Sequence, residues 1–249
     1  MAAADLLPAL TAAHDDGHLR TWWYIRKHGV WRLRYQGDTL VVDDLLDTLP
    51  TEGRITGWVP GIYEPETFAF GGPHALEAAH ELFHHDSRPI LTHAAQPGTP
   101  PMRQREISIL LCQALMRAAG LDWYEAGDVW ARVAEHRQPD PATPAWPPER
   151  EPVLQAALLR LLTVDARAIP AIPTGWTAAF EKAGQTLADL AQRGLLQRGP
   201  RAVLAHHVIF HANRAGLPVT DQSAIAALAV YTVFQPATNH VFPGQRYSR

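Results

Sequence analysis

The sequence has a single cysteine, Cys112, no strong excess of either charge, and no long apolar run. One cysteine excludes a disulfide framework and any zinc or iron–sulfur site that needs several cysteines. Because 22 Lys and Arg residues face 25 Asp and Glu residues, no basic stripe favours nucleic acid as the main partner. No segment reaches the roughly 20 apolar residues of a membrane-spanning helix.

Targeting and nucleotide-binding patterns are also missing. The first 20 residues lack a basic leading region, and Asp5, Asp15 and Asp16 interrupt their apolar runs. We therefore expect a soluble protein of a reducing, bacterial-type cytoplasm. No GxGxxG or GxxxxGKS phosphate cradle and no GxSxG nucleophile turn occurs. What the chain does have is 47% hydrophobic residues, eight tryptophans and 13 histidines, which favour one compact core with a partly polar cleft.

The first third of the chain has the pattern of strands and turns. Segments 21–26 and 31–35 are rich in aromatic and alternating residues, and Gly29 between them allows a tight turn, which predicts a hairpin. We predict a short helix over 43–49 and further strands over 54–59 and 62–70. The prolines of 138–152 exclude a helix interior and predict a linker or a wrapping loop.

Most of the remaining chain has helical spacing of its apolar residues. Predicted helices cover 73–85, 107–118, 128–136, 153–162, 176–196, 200–213 and 221–230, with Asp86 to Pro89 ending the first and Asp128 capping the third. Strands first and helices later predict an α+β fold, with N-terminal antiparallel strands packed against a mainly helical C-terminal half. We expect a single domain over residues 1–249.

Two arginines lie on one strand of the predicted hairpin. Arg32 and Arg34 share a face because side chains alternate along a strand, so together they could hold a carboxylate or an amide carbonyl. A solvated strand edge is the alternative. The segment after the hairpin adds Tyr63, Glu64 and Glu66, with both carboxylates expected on one strand face as acid–base groups. These carboxylates could instead pair with the two arginines across strands.

Histidines form two further groups. His80 and His84 have metal-ligand spacing on a helix, yet no HExxH pattern accompanies them, and a surface histidine run is the favoured explanation. His207, His211 and Arg214 share a face of a later helix. They could shuttle protons and stabilise an oxyanion, or they could be satisfied at a helix–helix contact.

Five segments in this order resemble the thiopeptide-type bacteriocin biosynthesis family: TWWYIRKHGVWRLRY (21–35), YEPETFAFGGP (63–73), ELFHHDS (81–87), AGLDWYEAGDVW (119–130) and FHANRAGL (210–217). That family is similar to the C-terminal elimination domain of lantibiotic dehydratases, here expected as a free-standing protein. The resemblance implies action on a ribosomally made precursor peptide, through its leader and its dehydroalanine-containing core. It implies no metal or organic cofactor, no nucleic acid or membrane partner, and dehydratase components of the same pathway as further partners.

The family divides into two chemistries. Elimination members remove glutamate from glutamylated Ser or Thr, whereas pyridine synthases join two dehydroalanines by a formal aza-[4+2] cycloaddition and then lose water and the leader peptide. Elimination members typically have an arginine where this chain has Ala69, in the pattern Y-x-x-E-x-x-R-Y-G-G. Losing an arginine that would hold the glutamyl group favours a thiopeptide pyridine synthase. A glutamate-elimination lyase and a non-catalytic peptide-binding partner remain alternatives.

The resemblance and the residue patterns together give a candidate site. We expect proton transfer from Tyr63, Glu64, Glu66, His207 and His211, and polarised oxygens at Arg32, Arg34 and Arg214. Trp22, Trp23 and Trp31 are expected to stack on azole rings of the substrate, and Asp86, Ser87 and Asn213 to contact it. The hairpin arginines and the late histidines are expected to line one cavity.

Overall fold

The computed structural model describes residues 2–27, 29–51, 55–95, 102–138 and 151–234. Within these ranges the elements are α1 (Ala2–Asp15), β1 (Leu19–Lys27), β2 (Val30–Gly37), α2 (Thr39–Thr51), α3 (Pro73–Ala95), α4 (Gln104–Ala118), α5 (Trp123–His136), α6 (Glu151–Thr163), a 3₁₀ turn (Ala166–Ala168), α7 (Thr174–Gln192), α8 (Pro200–Ala215) and α9 (Val219–Phe234). The α+β prediction is confirmed, with one antiparallel hairpin followed by mostly helical chain.

The hairpin forms as its sequence predicts. Gly29 takes a φ of 77°, which a residue with a side chain rarely adopts, and β1 and β2 pair antiparallel. Trp23 lies opposite Arg34 and Ile25 opposite Arg32, so the two arginines share one face. The other face of the sheet packs into the main core through Trp22, Tyr24, Leu33 and Tyr35.

Helix α4 is the centre of the helical part. Its residues 107–116 are all buried, because α7, α8 and α6 pack around it. Gly184 of α7 allows a close crossing, since a Cβ there would lie 2.3 Å from the carbonyl oxygen of Leu115. Helices α3 and α8 pack against β1 and against each other, which brings the hairpin over the helical core.

The strands predicted after the hairpin are wrong. Residue 54 lies outside the described residues, and 55–70 contain no strand, only extended chain and turns. Pro60 and Pro65 lack the N–H that a sheet needs, and Val59 and Ile62 are exposed, so no sheet face forms. Glu64 and Glu66 therefore do not share a strand face, and in the described chain neither forms a salt bridge with Arg32 or Arg34.

Several helix boundaries also differ from the prediction. Helix α3 does not end at Asp86 to Pro89 but continues to Ala95, because burial of Ile90 and Leu91 compensates for the hydrogen bond that Pro89 removes. Helix α5 begins at Trp123, and its cap is Asp122, whose side chain accepts a hydrogen bond from Glu125 N. Asp128 is thus inside the helix. Helix α1 was not expected from the sequence.

The proline-rich segment lies mostly outside the described residues, at 139–150. Its predicted end is wrong by two residues, since α6 begins at Glu151 and Pro152 occupies the first turn, where proline is tolerated. A single domain over 1–249 stays a prediction. Among the described helices, none combines the length and the apolar character needed to cross a bilayer.

Candidate functional site

Four side chains from three parts of the chain meet at the protein surface, on the arginine face of the hairpin. The guanidinium carbon of Arg34 lies 4.7 Å from the ring centre of Tyr63. Tyr63 Oη is 2.8 Å from His80 Nε2, and the His80 ring stacks on Trp23 with centroids 4.7 Å apart. We call Trp23, Arg34, Tyr63 and His80 the surface cluster. It combines a cation, a phenol and an imidazole within reach of solvent.

Local sequence explains how Tyr63 reaches His80. The turn at 67–72 closes with a hydrogen bond from Gly72 N to Thr67 O, and Gly71 and Gly72 take φ angles of 92° and 104°. Glycine tolerates these angles, so the chain reverses sharply into α3 and lays 63–66 beside the first turns of that helix. His80 then faces the loop rather than the core.

Burial and charge set the protonation states of the surface cluster. Burial raises the pKa of Tyr63 above its usual 10.0; the neighbouring Arg34 opposes this, and Glu66 adds to it. Burial and the Arg34 charge both lower the pKa of His80 below 6.5. Both directions favour the neutral pair, in which the Tyr63 hydroxyl can donate to His80 Nε2. Partial burial also lowers the pKa of Arg34, with Tyr63 opposing that change.

A second polar group lies in the core between α3, α4, α7 and α8. Asp86 accepts hydrogen bonds from Trp176 Nε1, His211 Nδ1 and Arg214 Nε, each at 2.8 Å to its nearer oxygen. His211 Nε2 is also 2.8 Å from Ser108 Oγ. Asp86, His211 and Arg214 are each 0% exposed. We call these five residues the buried network.

The buried network holds its charges by mutual compensation. Burial alone would raise the pKa of Asp86, but the attraction of His211 and Arg214 outweighs it and lowers that pKa below 3.8. Nη1 and Nη2 of Arg214 have no hydrogen-bond partner in the described chain, and the guanidinium lies 4.2 Å from the ring centre of Phe83. His207 is buried beside it with Nε2 unpartnered, and burial lowers its pKa to about 4.

The structure does not bring the hairpin arginines and the late histidines into one cavity. An aromatic layer, in which Phe70, Leu76, Ala79 and Phe83 pack behind Trp23 of the surface cluster, separates the polar groups of that cluster from the buried network. The cavity that touches His211 has a volume of about 20 Å³, which is room for one water molecule and not for a peptide. The expectation of a common cavity is therefore wrong, because α8 turns its histidines into the core.

The other candidate residues belong to neither of these two groups. Trp22 is buried in the main core, and Trp31 stacks on Tyr24 at 4.7 Å. Ser87 is buried and accepts a hydrogen bond from Tyr24 N. The remaining four are Asn213, which accepts a hydrogen bond from Gln222 Nε2, and Arg32, Glu64 and Glu66, which are exposed.

His80 is the one member of the surface cluster that the sequence did not indicate as a site residue. Its spacing from His84 suggested a metal pair or a surface run, yet the two imidazoles have separate partners. His84 Nδ1 lies 3.1 Å from Trp22 N, whereas His80 contacts Tyr63 and Trp23. In the described ranges no group of three or more potential ligands is positioned to hold a metal ion. The contact with Tyr63 has no sequence signal, because it depends on the glycine turn.

Two solved structures have the same fold. MibB from Microbispora sp. 107891, a tRNA-dependent lantibiotic dehydratase, aligns with 93% of this chain at a TM-score of 0.63 and 18% identity. This chain spans 26% of the MibB chain. The crystal structure of TsrL aligns with 93% of this chain and 90% of its own, at a TM-score of 0.60 and 15% identity. No curated protein sequence matches this chain.

Identities this low show a shared fold and nothing more, so the family has to be argued from the sequence itself. The family model described as "Lantibiotic biosynthesis dehydratase C-term" matches residues 2–233. This range includes the hairpin, the segment that carries Tyr63, and every helix that contributes to the buried network. Since the match takes in nearly the whole chain, the protein belongs to the lantibiotic dehydratase C-terminal family.

Proposed function

We propose that this protein is a cofactor-independent pyridine synthase that acts on a dehydroalanine-containing precursor peptide. Membership of a lantibiotic dehydratase family supports an elimination-type enzyme in the biosynthesis of ribosomally made peptides. The observation that carries the choice of reaction is Ala69, whose methyl group packs against the aromatic layer. Residue 69 therefore has no cationic side chain that could hold a glutamyl carboxylate.

The surface cluster supplies the acid–base groups that this reaction needs. One dehydroalanine amide must become its imidic tautomer, which moves a proton from nitrogen to oxygen and creates a 2-azadiene. Tyr63 gives its hydroxyl proton to that oxygen, and His80 takes the proton from the amide nitrogen. The histidine then returns a proton to the Tyr63 phenolate, and Arg34 stabilises the negative charge that develops. Arg32, Glu64 and Glu66 flank this position at the surface and complete the candidate site.

Cycloaddition then forms two C–C bonds, which join the terminal CH2 and the imidic carbon of the azadiene to the two alkene carbons of the second dehydroalanine. Loss of the imidic oxygen as water, followed by loss of the leader peptide as a carboxamide, makes the ring aromatic. Both losses need a proton delivered to the leaving group and another removed from the ring, which the Tyr63–His80 pair can do in turn. Positioning the two alkenes provides most of the acceleration, because an oriented pair avoids a large entropic cost.

We assign the buried network and His207 a positioning role. Asp86, His211 and Arg214 contact each other rather than solvent, and Arg214 packs on Phe83 of the aromatic layer. Tyr24 Oη also donates to Arg214 O, which ties β1 to the end of α8. The network thereby fixes the surface on which Trp23 and His80 rest.

One observation favours the alternative of glutamate elimination. Arg198 Nη1 lies 3.3 Å from Ala69 O, so a guanidinium from the α7–α8 loop is placed beside the turn that lacks its own arginine. A glutamyl group at this turn could be held by Arg198 instead. Its second contact, His206 Nδ1 at 3.1 Å, would have to be given up or shared.

One assay separates these functions. The protein is incubated with a leader-bearing peptide that contains two dehydroalanines, and mass spectrometry follows the products. We expect a macrocycle with a pyridine ring and a free leader carboxamide. A parallel incubation with a glutamylated peptide detects elimination as free glutamate. Glutamate release without a macrocycle would overturn the proposal, and leader binding without conversion of either peptide would indicate a binding partner.

A further inference from the structure

The outer edge of strand β2 has unpaired backbone groups. Trp22 and Tyr24 of β1 turn their backbone away from β2, because Trp22 N and O contact His84 and Tyr24 N donates to Ser87 Oγ. In an antiparallel pair the alternate residues then bond across the hairpin, so Trp23 pairs with Arg34 and Ile25 with Arg32.

The residues between these pairs point their backbone the other way. Trp31, Leu33 and Tyr35 direct their N–H and C=O groups to the free side of β2, and no described segment bonds to them. The edge of β1 is covered by α3, whereas the edge of β2 is open along most of its 8 residues. Such an edge is a template for another strand.

Charge determines which strand fits this edge. Between Leu19 and Gly37 the hairpin has four arginines and one lysine and no acidic residue, although the whole chain has a net charge of −3. A second copy would bring its own arginines against these, and like charges on adjacent strands repel. A strand with acidic side chains would instead lie beside Arg32 and Arg34.

We propose that β2 binds an acidic peptide segment by adding it as a third strand. The backbone of the peptide pairs with Trp31, Leu33 and Tyr35, and every second side chain falls on the face of Arg32 and Arg34. Because Arg34 also belongs to the surface cluster, the bound strand leads the adjoining peptide to that cluster. This inference rests on the proposed function, since it describes how the precursor peptide is held.

Binding is tested with a fluorescein-labelled peptide of alternating glutamate and threonine, as long as β2. We expect fluorescence anisotropy to show binding that weakens at high salt, and no binding of the matched lysine–threonine peptide. Arg32→Glu should weaken binding by about tenfold or more. Arg105→Glu, which changes an exposed arginine on α4, is the matched control and should bind as the wild type does.

Hydrogen exchange locates the bound strand. In the protein without peptide, the amides of Trp31, Leu33 and Tyr35 should exchange fast by NMR, whereas those of Arg32 and Arg34 are already protected. Peptide should slow the first three. Binding that leaves them unchanged would overturn the proposal. Slow exchange of these three amides in the absence of peptide would also overturn it. Sedimentation would then show a dimer if a second copy covers the edge of β2, and a monomer if another part of the same chain covers it.

The same experiments separate this inference from the proposed function. Peptide binding and exchange need no turnover. If the edge fails to bind while the macrocycle still forms, docking on β2 is wrong and pyridine synthesis stands. If the edge of β2 binds the peptide but no macrocycle appears, docking on β2 stands and pyridine synthesis is wrong.

Discussion

The hydrogen bond between Tyr63 Oη and His80 Nε2 connects two residues whose environments push their pKa values apart. Burial keeps the phenol protonated and the imidazole unprotonated over the neutral range. In such a pair the tyrosine carries its hydroxyl proton, and Nε2 of the histidine carries none and can accept one. This is the state that a proton relay needs before substrate arrives.

The Arg34 charge contributes to the lowered pKa of His80, so removal of that charge should raise this pKa. Arg34→Gln should raise that pKa toward 6.5, as followed by NMR titration of the imidazole protons. His80 must be neutral to accept a proton, so activity falls as pH drops through this pKa, and the acid limb should move to higher pH in the variant. Arg32→Gln is the control and should leave the His80 titration in place. An unchanged titration in Arg34→Gln would contradict the assignment.

Removal of the Tyr63 hydroxyl tests its role as proton donor. Tyr63→Phe keeps the ring under Arg34 but removes the acid, so kcat/KM for macrocycle formation should fall by about 10²–10⁴-fold. Peptide binding measured by anisotropy should change little. Tyr124→Phe, at an exposed tyrosine on α5, is the control. A Tyr63→Phe enzyme with normal turnover would place the acid elsewhere.

Asp86 tests the buried network, because it is the common acceptor of three donors. Asp86→Asn leaves Arg214 without a counter-charge in the core, which should lower the free energy of unfolding by about 3–5 kcal/mol in urea denaturation. Asp128→Asn makes the same chemical change in partly exposed ion pairs with Arg132 and Arg201 and should cost about 1 kcal/mol or less. If Asp86→Asn lowers the free energy of unfolding as little as Asp128→Asn is expected to, the buried network adds little stability.

At the scale of elements, the crossing of α4 and α7 depends on the absence of a side chain at Gly184. Alanine has the higher helix propensity by about 1 kcal/mol, yet its Cβ would lie 2.3 Å from Leu115 O, which is backbone. Gly184→Ala should therefore lower the melting temperature. Gly175→Ala in the first turn of the same helix has open space around it and should be neutral or slightly stabilising. A stabilised Gly184→Ala protein would mean that the helices can separate at little cost.

The elements that sequence could predict are those whose pattern is local. Alternation and Gly29 predicted the hairpin, and apolar spacing predicted the helices from α4 to α9. Helix α1 does have the signal, with Leu6, Leu10 and Ala13 buried along one face, but Pro8 and the acidic residues obscured it. The strand prediction for 55–70 failed for the opposite reason, since its apolar residues suggested strands although no described segment pairs with it.

The candidate site divides in the same way. Arg34 and Tyr63 were expected to take part in the chemistry, and the structure brings them together. The face on which Arg34 lies could be predicted because it depends only on alternation along the strand. The contact with His80 depends on the reversal at Gly71 and Gly72, which no periodicity indicates. Periodicity placed His207, His211 and Arg214 on one face of a helix. It could not tell that this face would turn inward, since that depends on Asp86 in another helix.

For the whole molecule, buried histidines make stability depend on pH. Burial lowers the folded-state pKa of His207 to about 4, whereas a histidine in the unfolded chain titrates near 6.5. Between these values the unfolded state binds the proton and the folded state does not. The contribution of His207 to the free energy of unfolding is therefore fully present above pH 6.5. It is lost as pH falls toward 4, by an amount on the order of 3 kcal/mol. Asp86 adds a loss only below 3.8, because its folded pKa lies under that value.

The variant His207→Phe isolates this contribution. Phe70 and Phe83 already surround the imidazole, so a phenyl ring fits the environment and removes the unpartnered Nε2. Urea denaturation at a series of pH values should show a smaller fall in the free energy of unfolding between 6.5 and 4 than in the wild type. His74→Gln removes an exposed imidazole and should keep the wild-type slope. If His207→Phe also keeps that slope, folding does not lower the pKa of His207, which would return His207 to consideration as a proton carrier.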